Sequence, residues 1–174
     1  GVGKTTLAHL LCNAADARMQ SLSAVMDGVK AIREAVAVAQ GERAAGRQCV
    51  LFVDEVHRLN KAQQDAFLHH VESGLITLIG ATTENPSFEV ISPLLSRCRV
   101  ITLEMLTAED IAEIINQALA DSERGLGALG VELEEDALAH LIRIADGDAR
   151  MALNSLEVAA SLVLSKQKPG ISKA

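Results

Sequence analysis

Five consecutive apolar residues, Cys49-Val50-Leu51-Phe52-Val53, followed at once by Asp54 and Glu55, constrain this chain more than any other feature. The run from Gln48 to Val53 is too short and too β-branched for a helix, and it lacks the alternation of a half-exposed strand. It reads as a strand buried on both faces, the kind found in parallel sheets covered by helices. The flanking sequence agrees. Across the first hundred residues short apolar strands alternate with helical stretches, which is an α/β pattern. A helix is predicted from near Lys4, a weak strand over Ala17 to Leu22, and a helix from about Gly28 to Ala45, with Val29, Ile32 and Val36 on one face and Gly46 at its end. Asn60 and Gln63 read as a capping box that opens a helix through Glu72, stopped by Gly74. Strands are predicted at Leu75 to Ile79 and Val100 to Leu103, with a chain break at Asn85-Pro86 and a short helix from Ser92-Pro93 to near Arg97 between them. From Thr107 only helical periodicity remains, carried by Ile111, Ile114, Ile115 and Leu119, then Leu138, Leu141 and Ile142, then Met151 to Leu164. The organisation expected is a core over 1–103, a small helical domain over 104–164 holding the glycine-rich loop Gly125 to Gly130, and a polar tail over 165–174.

Composition narrows the function classes. With 174 residues, 49% of them hydrophobic against 22% charged, the chain has ample material for a core, and disorder is excluded. Sixteen basic residues against 23 acidic give a net charge of -7, so no broad basic footprint for nucleic acid exists. Trp and Tyr are absent and the aromatics are Phe52, Phe67 and Phe88, too few for base-stacking platforms. Any DNA contact is therefore expected to be local or to come from elsewhere. Cys12, Cys49 and Cys98 are odd in number and widely spaced, which fits neither a zinc site nor a disulfide framework; they read as small buried hydrophobes in a reducing cytosol. Apolar runs are too short to span a bilayer and no basic-then-apolar leader is seen, so a soluble protein is expected.

Chemistry concentrates at two places. Gly1-Val2-Gly3-Lys4-Thr5-Thr6 matches the end of the phosphate-binding loop G-x-x-x-x-G-K-[ST] without its first Gly, and because the chain opens inside that motif it is expected to be a fragment. Glycines allow successive N–H groups to turn toward phosphate oxygens, and the following helix N-terminus adds about half a positive charge. Lys4 would reach the β- and γ-phosphates of ATP and the Thr5 hydroxyl would ligate Mg²⁺. The second place is the end of the buried run, where Asp54 would lie near the metal and Glu55 would polarise an attacking water. Thr82 and Thr83 end the next strand, where a hydroxyl could sense the γ-phosphate; a plain turn reads equally well. Arg97 and Arg150 are either surface cations or phosphate partners. Arg150 falls in the first turn of a helix, where a positive charge opposes the dipole unless an anion is near. His57, His69 and His70 read as surface residues, although Asp54-Glu55-Val56-His57 also spells the DExH signature of helicases.

These residues resemble the AAA+ ATPases, and more closely the replication-associated recombination protein A family, related to the Werner helicase-interacting protein. The resemblance rests on GVGKTTLA at 1–8, VKAIREA at 29–35, LFVDEVHRLNKAQQDAFL at 51–68, IGATTENPSFE at 79–89, LLSRCRV at 94–100 and GDARMALNSLE at 147–157. It implies a P-loop parallel sheet with helices on both faces, its first strand missing by truncation, followed by an all-helical lid. By the same resemblance Gly1, Gly3, Lys4, Thr5 and Thr6 are Walker A, and Asp54 and Glu55 are Walker B. Thr83 is sensor 1, with Thr82 the fallback. Arg97 is similar to an arginine finger that enters a neighbouring subunit's site, and Arg150 to sensor 2, acting on its own subunit's nucleotide. ATP and Mg²⁺ are the implied cofactors. The implied partners are further copies of the chain, single-stranded or forked DNA and single-stranded-DNA-binding protein, in the cytoplasm at the nucleoid, with no membrane.

The resemblance also sets expectations of absence. The strand before the phosphate loop would sit inside the sheet, and each buried N–H or C=O left unpaired without it costs on the order of 1 to 3 kcal/mol. An isolated fragment is expected to fold poorly and to hydrolyse no ATP. Competing readings are a clamp-loader subunit or a Holliday-junction branch-migration motor on the same fold, a DExH helicase, and a catalytically silent nucleotide-binding scaffold. Asn85-Pro86-Ser87-Phe88 resembles the recombination-protein family more than the first two. The helicase reading is disfavoured because only fifty positions separate Lys4 from Asp54 and a helical segment follows where a second ATP-clasping domain is needed.

Overall fold

A computed structural model describes residues 1–24 and 29–167. They fall into two compact units, one of the described residues from 4 to 102 and one of residues 103–167 together with Gly1–Gly3.

The first unit is α/β. Its elements are α1 (Lys4–Ala14), β1 (Arg18–Ser23), α2 (Val29–Ala44), β2 (Cys49–Asp54), α3 (Lys61–Glu72), β3 (Thr77–Gly80), α4 (Pro86–Glu89) and α5 (Ser92–Leu95). The three strands form one parallel sheet in the order β1-β2-β3, with Arg18 opposite Cys49 and Val50 opposite Thr77. The predicted all-apolar run is the central strand, and Cys49 through Val53 are all buried. Its two faces serve two cores. Cys49, Leu51 and Val53 pack with Ile32, Ala35 and Ala39 of α2 and with Phe67 of α3. Phe52 turns the other way and meets Ala8 of α1 and Ala81. Helices therefore cover both faces, which is what a strand without a polar side requires.

The capping box of α3 is present in full: Asn60 Oδ1 accepts from the Gln63 N–H and Gln63 Oε1 from the Asn60 N–H, both at 2.9 Å. Three expectations need correction. Residues 100–103 are not a strand; they have no ladder partner among the described residues, and Val100 and Ile101 are exposed. A strand without a neighbour has nowhere to place its N–H and C=O groups. Asn85-Pro86 does not simply break the chain but starts α4, with Asn85 Oδ1 capping the Ser87 N–H at 3.0 Å and Pro86 at the first helical position, where its missing N–H costs nothing. Cys98 is half-buried, whereas Cys12 and Cys49 are buried; desolvation pushes all three thiols above their ordinary pKa, keeping them protonated.

The second unit is helical: α6 (Ala108–Ala120), α7 (Glu135–Ala145) and α8 (Ala149–Gln167), packed around Ile111, Ile115, Leu141, Ala145, Ala152 and Leu156. Thr107 and Asp110 form a second capping box at the start of α6. The loop after α6 is pressed onto that helix: a Cβ at Gly125 would stand 2.2 Å from the Ala118 carbonyl oxygen, so no other residue fits there without moving backbone. The last helix continues through Gln167 rather than ending at Leu164. Gly28, the expected start of α2, and tail residues 168–174 lie outside the described residues, as does the side chain of Val29.

One buried polar side chain ties α3 to the segment between α4 and α5. Gln64, 1% exposed, donates through Nε2 to the carbonyls of Leu59 (3.0 Å) and Glu89 (2.9 Å) and accepts at Oε1 from the Ile91 N–H (2.9 Å). Gln64→Leu fills the same space but leaves those three backbone groups unpaired. It is expected to destabilise the α/β unit by about 2–3 kcal/mol, read as a lower urea midpoint with an unchanged slope.

Candidate functional site

In a parallel sheet every strand points the same way, so Ser23, Asp54 and Gly80 end on one edge. Ligands of open α/β sheets bind at that edge. Here β2 is extended by one paired residue on the β1 side, Asp54 opposite Ser23, while β3 stops opposite Val53. The β2–β3 link then continues outside the strands: the Ala81 N–H donates to the Val53 carbonyl and the Val56 N–H to the Ala81 carbonyl, both at 2.9 Å. These two bonds fix Asp54-Glu55 beside Thr82-Thr83.

Asp54 is exposed, and its Oδ1 accepts from the Glu55 N–H at 3.1 Å. Glu55 has φ 55° and ψ 44°, the left-handed region. The other non-glycine residues with positive φ among those described are Asp16 and Asp146, short polar residues at helix ends that tolerate it well. For glutamate the conformation costs about 1–2 kcal/mol and persists only when the surroundings impose it. A single 3-10 turn follows, Val56–Arg58. It folds the His57 ring back, so that Nε2 stands 3.3 Å from Glu55 Oε2 and Nδ1 2.9 Å from Thr82 Oγ1. The Glu55 carboxylate also meets Arg58 Nε at 3.5 Å. Thr82 Oγ1 accepts from the Glu84 N–H at 2.9 Å. Thr83, by contrast, is exposed, and its hydroxyl has no partner among the described residues.

Toward the phosphate motif, Gly3 has φ 89° with open space where a side chain would be, and α1 begins at the next residue. Lys4 is half-buried yet has no carboxylate partner among the described residues, while Thr5 and Thr6 are exposed. Ala8, one turn further, is packed against Phe52 and Ala81, which stand at the C-terminal ends of β2 and β3. The first turn of α1 thus lies toward the edge that carries Asp54 and Glu55. A half-buried cation without an anion, a glycine with open space before it and exposed hydroxyls suit a bound phosphate and its metal.

Arg97 is engaged within its own chain. Its guanidinium pairs with Glu72 Oε1 at 2.6 Å and donates to the Pro93 carbonyl at 2.6 Å and Ser96 Oγ at 3.2 Å. Arg150 belongs to the helical unit, in the first turn of α8, exposed and without a side-chain partner among the described residues. In that unit the Gly1 carbonyl accepts from the Ala149 N–H at 3.1 Å, so Gly1 lies at the start of the helix bearing Arg150. Asp148 caps this helix by accepting from the Met151 N–H at 2.9 Å.

Reading His57 as a surface residue needs correction: its side chain is 13% exposed and joins Glu55 to Thr82. Two-residue spacing from Glu55 was the available signal, but only a tight turn lets that spacing bring the two side chains together. His69 is exposed and His70 half-buried, their rings edge to face. Among the described residues no group of three or more His, Cys, Asp and Glu is placed to hold a metal by itself, and no helix is long and apolar enough to cross a membrane.

A phosphate loop opening a helix, followed in the next-but-one strand by a buried run ending in Asp-Glu, defines a class of nucleotide-hydrolysing α/β proteins. The family model described as "ATPase family associated with various cellular activities (AAA)" matches residues 1–105, and the chain belongs to that family. A second, "AAA C-terminal domain", matches 127–174. The chain is 52% identical over 162 residues to replication-associated recombination protein A of Escherichia coli K12, and 54% identical over 164 residues to the protein of that name from Coxiella burnetii. These alignments take in 93% and 94% of the chain but 36% and 37% of the relatives, so the chain spans about a third of their length. ATPase WRNIP1 of Dictyostelium discoideum is 46% identical over 159 residues, 91% of the chain and 18% of that protein. Among solved structures, the RuvB Holliday junction branch migration motor of Thermotoga maritima matches with a TM-score of 0.74 at 29% identity, over 95% of this chain and 53% of that one.

Proposed function

We propose that the chain binds ATP with Mg²⁺ and hydrolyses it, as the ATPase part of an oligomeric cytoplasmic protein that maintains replication forks and serves DNA recombination and repair. The observation that carries the ATPase reading is the edge of the sheet: an Asp-Glu pair at the end of a buried apolar run, tied by the backbone bonds of Val53 and Val56 to Ala81, next to Thr82-Thr83, with the first turn of α1 toward the same edge. Similarity over nine-tenths of the chain to replication-associated recombination proteins supports the setting at the fork. The lower identity to the branch-migration motor, 29% against 52%, makes that role the second choice.

Backbone N–H groups of Gly1, Val2 and Gly3 and of the α1 N-terminus, with Thr6, would bind the phosphates, and Lys4 would draw charge from the β- and γ-oxygens. Bound Mg²⁺ neutralises phosphate charge, and Thr5 and Asp54 are the oxygens that would hold it. Glu55 accepts a hydrogen bond from the attacking water and takes its proton as the water oxygen bonds to the γ-phosphorus and the bond to the ADP oxygen breaks. Thr83, its hydroxyl without a partner among the described residues, would orient that water or the γ-phosphate. Arg97 would act on a neighbouring copy's nucleotide after leaving Glu72, and Arg150 would contact the nucleotide of its own subunit from the helical lid. We assign residues 1–103 to the nucleotide-binding core and 104–164 to the lid.

The tests use a polypeptide of the relatives' full length that contains these residues. It is expected to retain labelled ATP in equilibrium dialysis and to turn over faster with forked or gapped DNA; no retention would overturn the reading. Glu55→Gln is expected to lower kcat by about 100-fold or more with ATP affinity kept, since it removes the proton acceptor but not the phosphate site. Arg97→Ala should abolish turnover and leave ATP binding intact, and mixing it with excess Glu55→Gln protein should restore some activity, because each variant then supplies what the other lacks. Equal loss of binding and turnover in Arg97→Ala would remove the finger assignment.

A further inference from the structure

We propose that His57 is a positioning residue for hydrolysis: with Thr82 it forms a hydrogen-bonded relay that holds one oxygen of the Glu55 carboxylate, leaving the other for the attacking water. The inference rests on Glu55 acting on that water, as proposed above, and adds which residues aim it.

With the His57 ring neutral, the chain of contacts has one consistent set of donors. The Glu84 N–H donates to Thr82 Oγ1 at 2.9 Å, so the Thr82 hydroxyl hydrogen is free to be donated to His57 Nδ1, also at 2.9 Å. With Nδ1 an acceptor, the neutral ring carries its hydrogen on Nε2, which faces Glu55 Oε2 at 3.3 Å. The other tautomer would turn a lone pair toward a carboxylate. A neutral imidazole thus satisfies both neighbours at once, and the backbone of Glu84 fixes the direction of the whole relay. Its ends are anchored differently. Thr82 follows Ala81, whose N–H and C=O are both bonded to the β2 side, to Val53 and Val56. Glu55 is held in left-handed backbone geometry, which turns its side chain back over the 3-10 turn toward the ring. Arg58, at 3.5 Å and with a side chain 57% exposed, is the weaker neighbour of the same oxygen. The two threonines divide the work: Thr82 is spent on the ring, while the Thr83 hydroxyl is without a partner among the described residues and stays available to a ligand.

The relay is tested in the full-length polypeptide with His57→Phe, which keeps the ring's bulk without its nitrogens, Thr82→Val, which removes only the hydroxyl, and Thr82→Ser, which restores it. Each is measured for kcat, for ATP affinity by dialysis and for thermal midpoint, beside Glu55→Gln. Expected are a kcat about 10-fold or more lower for His57→Phe, a smaller fall for Thr82→Val, near-normal turnover for Thr82→Ser, and ATP affinity unchanged throughout. Because both substitutions cut one relay, the double variant His57→Phe with Thr82→Val is expected to be no slower than His57→Phe alone. An unchanged or raised kcat in His57→Phe, while Glu55→Gln is inactive, would overturn the relay and leave the ATPase reading standing. So would parallel losses of affinity, thermal midpoint and turnover, which a merely structural histidine gives, or additive losses in the double variant. If Glu55→Gln itself keeps full turnover, the catalytic reading of the strand end falls and the relay with it.

Discussion

Burial of both faces of β2 is the constraint on which the α/β unit depends. Five apolar side chains in succession cannot be left facing water, so one helix must cover Phe52 and two more must cover Cys49, Leu51 and Val53. A strand so enclosed has to be central, with β1 and β3 taking up its N–H and C=O groups on either side. The apolar run also fixes where polar chemistry begins. Asp54 is the first residue of β2 to reach solvent, and the carboxylates emerge at the place where a rigid strand ends. Placement of that pair is thus a by-product of packing: the core sets its position and the exposed edge gives it water and ligand access.

Beyond the strand, local geometry takes over from burial. Glu55 is held in an unfavourable backbone conformation, and its surroundings compensate through the Val56 to Ala81 bond, the 3-10 turn and the contact with His57. Strain imposed in this way suits a group whose direction matters more than its stability. The two arginines show a contrast of another kind. Arg97 is neutralised by Glu72 within the chain, whereas Arg150 carries its charge at the start of α8, next to Ala149, whose N–H donates to the Gly1 carbonyl, and beside a capping aspartate. One is engaged until something displaces its partner; the other is uncompensated by any side chain among the described residues. An anionic ligand would act on the two quite differently.

Much of this was legible in order of residues. The central strand, the α3 capping box and the change to helices after Thr107 follow from periodicity and from short-range side-chain hydrogen bonds, which depend on neighbours in sequence alone. Residues 100–103 show where that stops. Val100 to Leu103 has a strand's composition, but a strand exists only when another lends it a ladder, and none of the three does. Asn85-Pro86 failed in the opposite sense, since the same dipeptide that breaks a chain also caps and begins a short helix. His57 was missed because its spacing from Glu55 has no meaning until a 3-10 turn closes it.

The order of residues determined by itself that a parallel sheet would form around Cys49 to Val53, that Asp54 and Glu55 would stand at its end, and that the first helix would open near Lys4, just after a glycine. Each of these follows from a pattern of apolar, acidic or glycine residues within a few positions. Only the tertiary structure decided which threonine is engaged and which is without a partner among the described residues, that Glu72 holds Arg97, and that Gln64 pins the segment leading to α5. The physical reason is common to all three. A hydrogen bond or ion pair between residues 25 or more apart is set by where backbone folding brings two side chains, to within a few tenths of an ångström, and no local pattern encodes that distance.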